Sequence, residues 1–361
     1  MTPMSQRASY DDPRLVREPM AVVEGGQSPS VLALLTRMRA SAFQGRQLGE
    51  AFETWKRMIE GPSLICLGYA ASLSSAGLWP LVTWLLDRGY VDVLASTSAN
   101  ITEDLLEQMD GNRLYRVSAD DVDDVDLWRA GYYRFYDHIV SKKRYDELET
   151  RLLRGFIDDL AERWRKPAIP TMRLLHELGL WLEEKGFRRS ILATAARCQV
   201  PVFCCGLPDG PIGEAYDKAA RAEQAPIVDF FRDYKIATDV MDAAITGGRG
   251  TSVIFLGGGV PKDFLQITAT SVSSRHGNAE AKPHVAAIQI TTDNTVYGGL
   301  GGAALATECI SWGKEAKGGP NVMCFADVTI ALPLICQGLL EHFGPTHRRR
   351  EPRPLALGEV F

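Results

Sequence analysis

The chain has 361 residues, of which 45% are hydrophobic and 24% are charged, as is ordinary for a globular protein. Its 40 basic and 45 acidic residues give a formal net charge of −5, which excludes the strongly basic surface of a typical nucleic-acid-binding protein. No apolar run approaches the roughly 18 residues of a membrane-spanning helix, and the N-terminus lacks the apolar core of a signal peptide. We therefore expect a cytoplasmic protein that binds neither nucleic acid nor membranes.

The seven cysteines form no CxxC pair, and Cys204 and Cys205 are adjacent, an arrangement that suits a shared zinc site poorly. Reduced, mostly buried thiols are typical of cytoplasmic proteins. We expect free cysteines and no metal site.

A polar beginning and a polar end enclose one long region without an obvious linker. Residues 1 to about 28 are polar, and residues 31–58 carry the apolar spacing of a helix. The chain becomes polar again at residue 346. We expect an N-terminal arm and helix at 1–40, a single domain at 41–345 and a polar tail at 346–361.

From residue 63 onward, short apolar runs that end in small residues alternate with stretches of helical spacing. This alternation is typical of an α/β protein with a parallel sheet. The apolar runs predict strands at 64–68, 91–95, 200–203, 251–256, 285–292 and 322–326. The helical spacing predicts helices at 78–87, 103–109, 145–164, 172–182 and 227–245.

Loops rich in small residues follow several predicted strands, and ligands of parallel sheets bind at the carboxyl ends of strands. Small residues let backbone amides approach a phosphate closely, so a dinucleotide is a plausible ligand. No GxGxxG motif is present, however, and glycines that merely form tight turns are the alternative interpretation. The loops lie at 68–77, 96–100, 206–213, 257–259 and 298–304.

Acidic residues stand close to these loops. Asp209 and Glu214 flank one loop, Glu103 follows another, and Glu308 follows a third. Carboxylates around a cleft suit a polyamine or another cation. The alternative is that Glu103 and Glu214 are first-turn helix carboxylates that interact with the helix dipole.

The tetrapeptide 311–314, SWGK, places Lys314 beside Trp312 and behind a glycine-rich loop. A partly desolvated lysine amine can form an imine with a carbonyl or imine substrate. A surface lysine is the alternative. The histidines form no recognisable constellation, and no hydrolase or NTPase motif is present.

The block that contains Glu308, Lys314 and residues 322–333 (VMCFADVTIALP) closely resembles the C-terminal active-site block of deoxyhypusine synthase. Other blocks resemble that family in the same order, and the similarity covers about residues 40–345. The sequence is therefore identified as a member of the family, and it resembles the bacterial, polyamine-forming members most. The other blocks are LGYAASLSSAG (67–77), VDVLASTSANITEDL (91–105), VPVFCCGLPDGPIGE (200–214) and FLGGGVPKD (255–263).

The resemblance implies a Rossmann-like α/β fold, with a parallel sheet that carries helices on both faces, and NAD as the cofactor. It also implies a homotetramer whose active sites lie at a dimer interface. In the family, NAD takes a hydride from an amine carbon of spermidine, and a lysine captures the aminobutyl group as an imine. An acceptor amine then displaces the lysine, and the hydride returns.

The resemblance also assigns roles to residues. Lys314 matches the imine-forming lysine, and Glu308 and Trp312 match substrate contacts. Asp209 matches a cofactor-binding acid, and Glu214 stands where an aspartate holds a substrate ammonium group. Cofactor-contacting positions of the family fall on Ser72, Ser75, Thr97, Ser98, Ala99, Glu103, Gly258 and Asp327, and Glu103 also borders the substrate.

Two departures from the family pattern bear on the reaction. Asp263 and Phe264 stand where the protein-modifying enzymes have a histidine pair, and the first histidine acts in proton transfer. We expect the Asp263 carboxylate to act in catalysis instead, beside Lys314 and Glu308. The loop at 298–303 (GGLGGA) has no acid where the family has an acidic loop, and it resembles the bacterial homologues.

These observations predict an NAD-dependent transferase that moves a 4-aminobutyl or guanidinobutyl group through an imine on Lys314. The donor is a polyamine or agmatine, and a small-molecule amine acceptor would give a homospermidine-type or bis-guanidino polyamine. One alternative is a deoxyhypusine synthase that acts on a protein lysine. Another is a catalytically silent homologue that binds NAD or polyamine.

Overall fold

The computed structural model describes residues 20, 22–24, 26, 28–109, 114–118, 122–278 and 280–349. Strands and helices alternate along most of this chain, as the sequence predicts. The strands are β1 (Leu64–Tyr69), β2 (Val93–Ser96), β3 (Tyr115–Arg116), β4 (Tyr132–Phe135), β5 (His138–Ser141), β6 (Ala168–Ile169), β7 (Val202–Phe203), β8 (Ile227–Val228), β9 (Thr251–Leu256), β10 (Ala286–Thr291) and β11 (Asn321–Phe325).

The helices cover both sides of the strands. They are α1 (Val31–Arg39), α2 (Phe43–Glu60), α3 (Trp79–Asp87), α4 (Asp104–Gln108), α5 (Asp124–Ala130), α6 (Lys142–Glu147), α7 (Arg154–Arg163), α8 (Thr171–Glu184), α9 (Ile191–Arg197), α10 (Pro211–Lys218), α11 (Phe230–Thr246), α12 (Gly259–Arg275), α13 (Glu308–Ser311) and α14 (Val328–Phe343). One π-helical turn, Leu148–Leu153, joins α6 to α7, and short 3₁₀ turns lie at Ala99–Ile101, Ala222–Gln224, Thr295–Tyr297 and Leu300–Gly302.

Six parallel strands form the central sheet, in the order β11–β10–β9–β1–β2–β7. Every residue of β1 and of β9 is buried, as expected for strands covered on both faces. Alternate residues face opposite sides of the sheet, so Ile65 packs in the same cluster as Trp55 of α2, whereas Cys66 contacts Met241 of α11. The predicted α/β fold, with a parallel sheet between helices, is confirmed.

The prediction of one helix over residues 31–58 is wrong, because a turn separates α1 from α2. Phe43 has a φ of 54°, and the two helices then pack closely. An added Cβ at Gly49 would lie only 2.4 Å from the backbone nitrogen of Arg39. The first residues of the helix predicted at 227–245 are also misassigned, since β8 pairs with β6 and Asp229 caps α11 through the amide of Arg232 at 2.9 Å.

A three-stranded antiparallel sheet, in the order β3–β5–β4, lies between β2 and α6 in the chain. The aromatic run at 132–136 supplies β4, and residues 135–138, which we call the hairpin tip, connect β4 to β5. No motif in the sequence predicts these three strands.

Both ends of the described chain pack onto the same body. On α1, Leu35 is fully buried, and the amide of Leu32 donates to Glu341 of α14 at 2.7 Å. At the other end, Arg349 pairs with Asp92 at 2.7 Å. Residues 1–19 of the predicted arm and helix at 1–40, and residues 350–361 of the predicted tail at 346–361, lie outside the described residues, and the division at residues 40 and 345 stays a prediction. Among the described helices, none is both long enough and apolar enough to cross a lipid bilayer.

Candidate active site

An open cleft of about 670 Å³ lies at the carboxyl ends of four neighbouring strands of the central sheet. Its walls are residues 70–76 after β1, 257–259 after β9, 291–293 after β10 and 326–329 after β11, together with the hairpin tip. This is the edge at which parallel sheets bind ligands. The cleft volume falls within the range of small-molecule and cofactor sites.

The glycine turn at 257–259 shapes the floor of the cleft. Gly257 and Gly259 have φ values of 80° and 63°, which favour glycine, and α12 begins at Gly259. Gly258 touches a second loop, since a Cβ there would lie 2.3 Å from the Cα of Gly301. Gln289 fastens the two loops together, because its side-chain amide donates to the carbonyls of Gly257 at 2.9 Å and Gly301 at 2.6 Å.

Four of the residues predicted to contact the cofactor line this cleft, namely Ser72, Ser75, Gly258 and Asp327. Asp327 also caps α14, where its carboxylate accepts from the amide of Thr329 at 2.7 Å. The free amides at the start of α12 suit a phosphate, and the serines suit ribose or phosphate oxygens. The residues present therefore fit a dinucleotide.

Four further predicted cofactor residues lie on two loops that touch each other. Thr97, Ser98 and Ala99 follow β2, and the Ser98 hydroxyl is buried without a hydrogen-bond partner. Asp209 is exposed on the loop after β7. The next residue, Gly210, approaches so closely that a Cβ there would lie 2.8 Å from the nitrogen of Ala99.

Lys314 lies close to two of its predicted partners. Its Nζ donates to Oδ1 of Asp263 at 2.7 Å and lies 5.7 Å from the ring centre of Trp312. The lysine side chain is only 12% exposed, whereas Trp312 is 70% exposed. Glu308 begins α13 and is exposed on the same short helix that leads to Trp312. The structure therefore joins a half-buried amine, a carboxylate and an indole ring.

A buried polar cluster that the sequence analysis missed lies behind Lys314. Glu315 accepts from the side-chain amide of Gln266 at 2.5 Å, and burial raises the pKa of Glu315 to about 7. Lys262 is fully buried and donates to Gln289 at 2.9 Å and to the carbonyl of Ala303 at 2.6 Å. Burial lowers the pKa of Lys262, with carboxylates nearby opposing the shift. The only sequence feature that could have pointed to this cluster is the position of Lys262 within the GGGVPKD block.

Glu103 is buried just after β2 and accepts a hydrogen bond from the hydroxyl of Tyr145 at 3.0 Å. Burial raises the pKa of Glu103, and the Tyr145 hydrogen bond and the charge of His138 offset part of this shift. Glu103 stands at the N-terminal end of α4 without a side-chain cap hydrogen bond, a position that is also compatible with the helix-dipole alternative. Tyr145 was not singled out in the sequence.

Glu214 occupies a different place from the other predicted acids. It lies exposed in the first turn of α10 and pairs with Lys218 at 3.2 Å, as the helix-dipole alternative anticipates. Lys218 also binds Glu149 at 3.1 Å. In the described part of the chain, Glu214 is not among the residues that line the cleft, so its substrate-binding role stays a prediction.

The hairpin tip brings Asp137 and His138 to the cleft wall. The histidines form no constellation in the sequence, and the only signal at this segment is the aromatic run at 132–136 that precedes His138. In the residues that the structure describes, no group of three or more His, Cys, Asp or Glu side chains could hold a metal ion.

Comparisons with known proteins agree with this architecture. The family model described as deoxyhypusine synthase matches residues 33–339. The chain belongs to the deoxyhypusine synthase family. It is 34% identical over 304 residues to "Probable deoxyhypusine synthase 2" of Archaeoglobus fulgidus, covering 84% of this chain and 96% of that one. It is 30% identical to a protein of the same name from Methanosarcina mazei, covering 86% and 87% of the two chains.

A solved structure supports the fold of this deoxyhypusine synthase family member independently. A crystal structure from Entamoeba histolytica that bears the deoxyhypusine synthase name superposes with a TM-score of 0.59 at 18% identity. The superposition covers 89% of this chain and 95% of that one. At this identity the likeness concerns the fold alone, and the predicted family membership is confirmed by the family match and the archaeal relatives.

Proposed function

We propose that this member of the deoxyhypusine synthase family is an NAD-dependent transferase that moves a 4-aminobutyl or guanidinobutyl group through an imine on Lys314. The observation that carries the proposal is the contact between Lys314 and Asp263 at 2.7 Å, on the helix that starts at the cleft floor. A lysine that must attack a carbon needs a neighbouring base to take its proton. Asp263 is that base.

Several residues would hold the reactants. Ser72, Ser75, Gly258 and Asp327 line the cleft that we assign to NAD, and we assign Thr97, Ser98, Ala99, Glu103 and Asp209 to the same cofactor. NAD, when bound, accepts a hydride from the amine carbon of the donor and later returns it. Glu103 and Glu308 would attract the cationic donor, and the exposed Trp312 ring would stack on an ammonium or guanidinium group.

Lys314 acts on the oxidised donor. After Asp263 takes its proton, the amine of Lys314 adds to the carbon of the donor imine, and the amine that had formed that C=N bond leaves with the proton that Asp263 returns. This exchange conserves the C=N bond, which now joins the butyl group to Lys314. The acceptor amine repeats the exchange and frees Lys314, so the lysine is regenerated in each cycle.

A small-molecule acceptor is favoured over a protein lysine. The loop at 298–303 carries no acid of its own, and Gly301 lies directly against the Asp293 carboxylate at the cleft. The cleft thus keeps one carboxylate at this loop, which suits a slender cation. The names of the archaeal relatives favour the second candidate, deoxyhypusine synthesis on a protein lysine.

The deciding experiment is a product scan. Purified protein and NAD are mixed with putrescine, spermidine or agmatine, singly and in pairs, and with a translation initiation factor as the protein acceptor. Mass spectrometry then detects either a new secondary amine or a mass increase of the factor. A new amine supports the small-molecule reaction, and a heavier factor supports the second candidate. No product in any mixture would instead support a silent NAD- or polyamine-binding homologue.

Self-association is part of the proposal. Large apolar side chains stand exposed close to the active lysine in sequence, with Val296, Tyr297 and Trp312 being 76%, 81% and 70% exposed. Such side chains are typical of an interface with another chain. We propose a homotetramer with sites at a dimer interface, and light scattering after size exclusion tests this directly.

The unpaired state of the cysteines is compatible with a reducing compartment. All seven cysteines are free, and burial raises the pKa of several of them, including Cys204 to about 12. Inert, unpaired thiols are common in cytoplasmic proteins. We propose a cytoplasmic location, which fractionation of cells that produce the protein would check.

A further inference from the structure

His138 is a basic side chain on the wall of the cleft, and its ring is held from two sides. Its Nδ1 is 3.0 Å from Oδ1 of Asp137, and its ring stacks on Phe135 with the centroids 5.3 Å apart and the planes 13° apart. The hydrogen bond with the ring holds the pKa of the Asp137 carboxyl below its usual value. A carboxylate that fixes one ring nitrogen leaves the other nitrogen free for chemistry.

The second ring nitrogen, Nε2, is buried and has no hydrogen-bond partner. A buried polar atom without a partner destabilises the free protein, and in native structures such atoms call for a functional explanation. A molecule that enters the cleft would supply the missing partner. In the described structure, Nε2 of His138 therefore remains available for a hydrogen bond with a ligand.

Two other candidate bases already have hydrogen-bond partners. Asp327 accepts from the amide of Thr329 at the start of α14. Asp263 holds Lys314 at 2.7 Å. The oxidation of an ammonium group to an imine releases a proton as well as a hydride, so the reaction requires a proton acceptor besides the partner of Lys314.

Charged and titratable groups surround the ring from each neighbouring element. Glu103, which follows β2, is close enough for the charge of His138 to lower its pKa. Tyr145 of α6 donates to Glu103, and Arg116 of β3 is directly opposite His138 in the strand pairing. Among these groups, the two carboxylates of Asp137 and Glu103 and the one guanidinium of Arg116 are the charged neighbours of the His138 ring.

We propose that His138 is a catalytic residue that accepts the proton of the donor ammonium group, with Asp137 as its positioning residue. This role rests on the proposed function. The ammonium gives a proton to Nε2, which leaves a neutral amine that could give up a hydride and form a C=N bond when NAD is bound. When the hydride returns, Nε2 gives the proton back to the product amine, and the histidine is neutral again.

The test compares His138→Gln with His276→Gln. The glutamine of His138→Gln would keep a polar side chain but could not carry the proton, whereas His276 forms a similar pair with Asp242 at 2.8 Å on the outer surface. We expect His138→Gln to lower kcat by at least about 100-fold, and His276→Gln to leave it unchanged. Asp137→Asn should lower kcat at least about tenfold, because the ring loses its orienting carboxylate. Added imidazole should restore part of the activity of His138→Ala.

A readout that does not depend on turnover accompanies the kinetics. Titration of NAD against His138→Gln should give a dissociation constant within about threefold of the wild-type value, since a proton acceptor acts on the chemical step. In ¹⁵N-histidine NMR, the His138 ring signals should move when NAD and the donor amine are added together.

The outcomes separate the two proposals. A wild-type protein that makes no product with any amine overturns the proposed function and the role of His138 with it. An active wild type with a His138→Gln variant that is equally active overturns only the role of His138. A His138→Gln variant that loses its affinity for NAD, or unmoved ring signals, also overturns proton transfer.

Discussion

Lys314 and Asp263 are 51 residues apart in the sequence, yet their side chains meet at 2.7 Å. Asp263 lies in the first turns of α12, the helix that begins at the glycine turn of the cleft. Lys314 lies beyond α13, on a segment anchored by the buried Glu315. The ion pair therefore ties the nucleophile of the proposed reaction to the helix that borders the cleft.

Replacement of Lys314 by alanine should abolish product formation, because no other amine would carry the butyl group. NAD binding should remain within about threefold of wild type, since the lysine is not among the residues that line the cleft in the described chain. Borohydride reduction during turnover should add the mass of the butyl group to the wild type and not to the variant. Lys317→Ala, at an exposed position three residues later, is the matched control. A fully active Lys314→Ala protein would contradict the mechanism.

Asp263→Asn should slow product formation by about 10²- to 10⁴-fold, the usual range for a lost general base. The asparagine keeps the size of the side chain but cannot accept the proton of Lys314. Borohydride trapping should therefore detect less adduct at early times. Asp239→Asn, which removes a carboxylate that binds Lys235 and Arg275 on the surface, serves for comparison. Equal rates in the two variants would mean that Asp263 only holds Lys314 in place.

Gly258→Ala should weaken NAD binding at least about tenfold, because the new methyl group would force the two loops of the cleft floor apart. The expected position of its Cβ is only 2.3 Å from the Cα of Gly301. Gly299→Ala tests the same loop without the clash, since nothing lies within 4 Å of a Cβ there. We expect Gly299→Ala to bind NAD normally. Calorimetric titration of both variants decides the matter, and similar affinities would count against this placement of the cofactor.

Glu315→Gln should change the pH dependence of stability. The folded pKa of Glu315 is about 7, above its ordinary value of 4.5, so the folded protein holds this proton longer than the unfolded chain does. The stability present below about pH 4.5 is therefore lost as the pH rises to about 7, by at most about 3 kcal/mol. Glutamine removes this loss and can still accept from Gln266.

The measurement is the free energy of unfolding of both proteins at pH 5 and pH 8. The advantage of Glu315→Gln over wild type should grow between these two values. Glu184→Gln, which removes an exposed carboxylate at the end of α8, is the control. A constant difference between the proteins at both pH values would show that Glu315 does not titrate in this window.

The order of strands and helices could be read from the sequence because each apolar run was bounded by small residues. The limits of β9 coincide with the predicted run at 251–256, and β10 and β11 fall within one residue of their predicted limits at each end. The break after α1 could not be predicted, because it depends on the approach of Gly49 to the backbone of Arg39. That contact forms only when the two helices pack against each other.

Residues of the candidate site could be predicted only where they belong to a recognisable sequence motif. Lys314 and the glycine turn stand in recognisable blocks, whereas Tyr145 of α6 and His138 of the hairpin tip stand in segments without a site motif. Pairings across the chain, such as Tyr145 with Glu103 at 3.0 Å, arise from tertiary structure. Local spacing contains no information about them.

Arg349 attaches the C-terminal end of the described chain to the body of the protein through a buried ion pair. Its guanidinium meets the Asp92 carboxylate, which also accepts from the amide of Ile65 at 2.8 Å, and both side chains of the ion pair are at least 90% shielded from water. A chain that ended at residue 345 would keep every wall of the cleft but would lose this buried ion pair, and removing one partner of such a pair costs on the order of 3–5 kcal/mol. Shortened versions of the protein made for crystallisation or tagging should therefore retain residue 349.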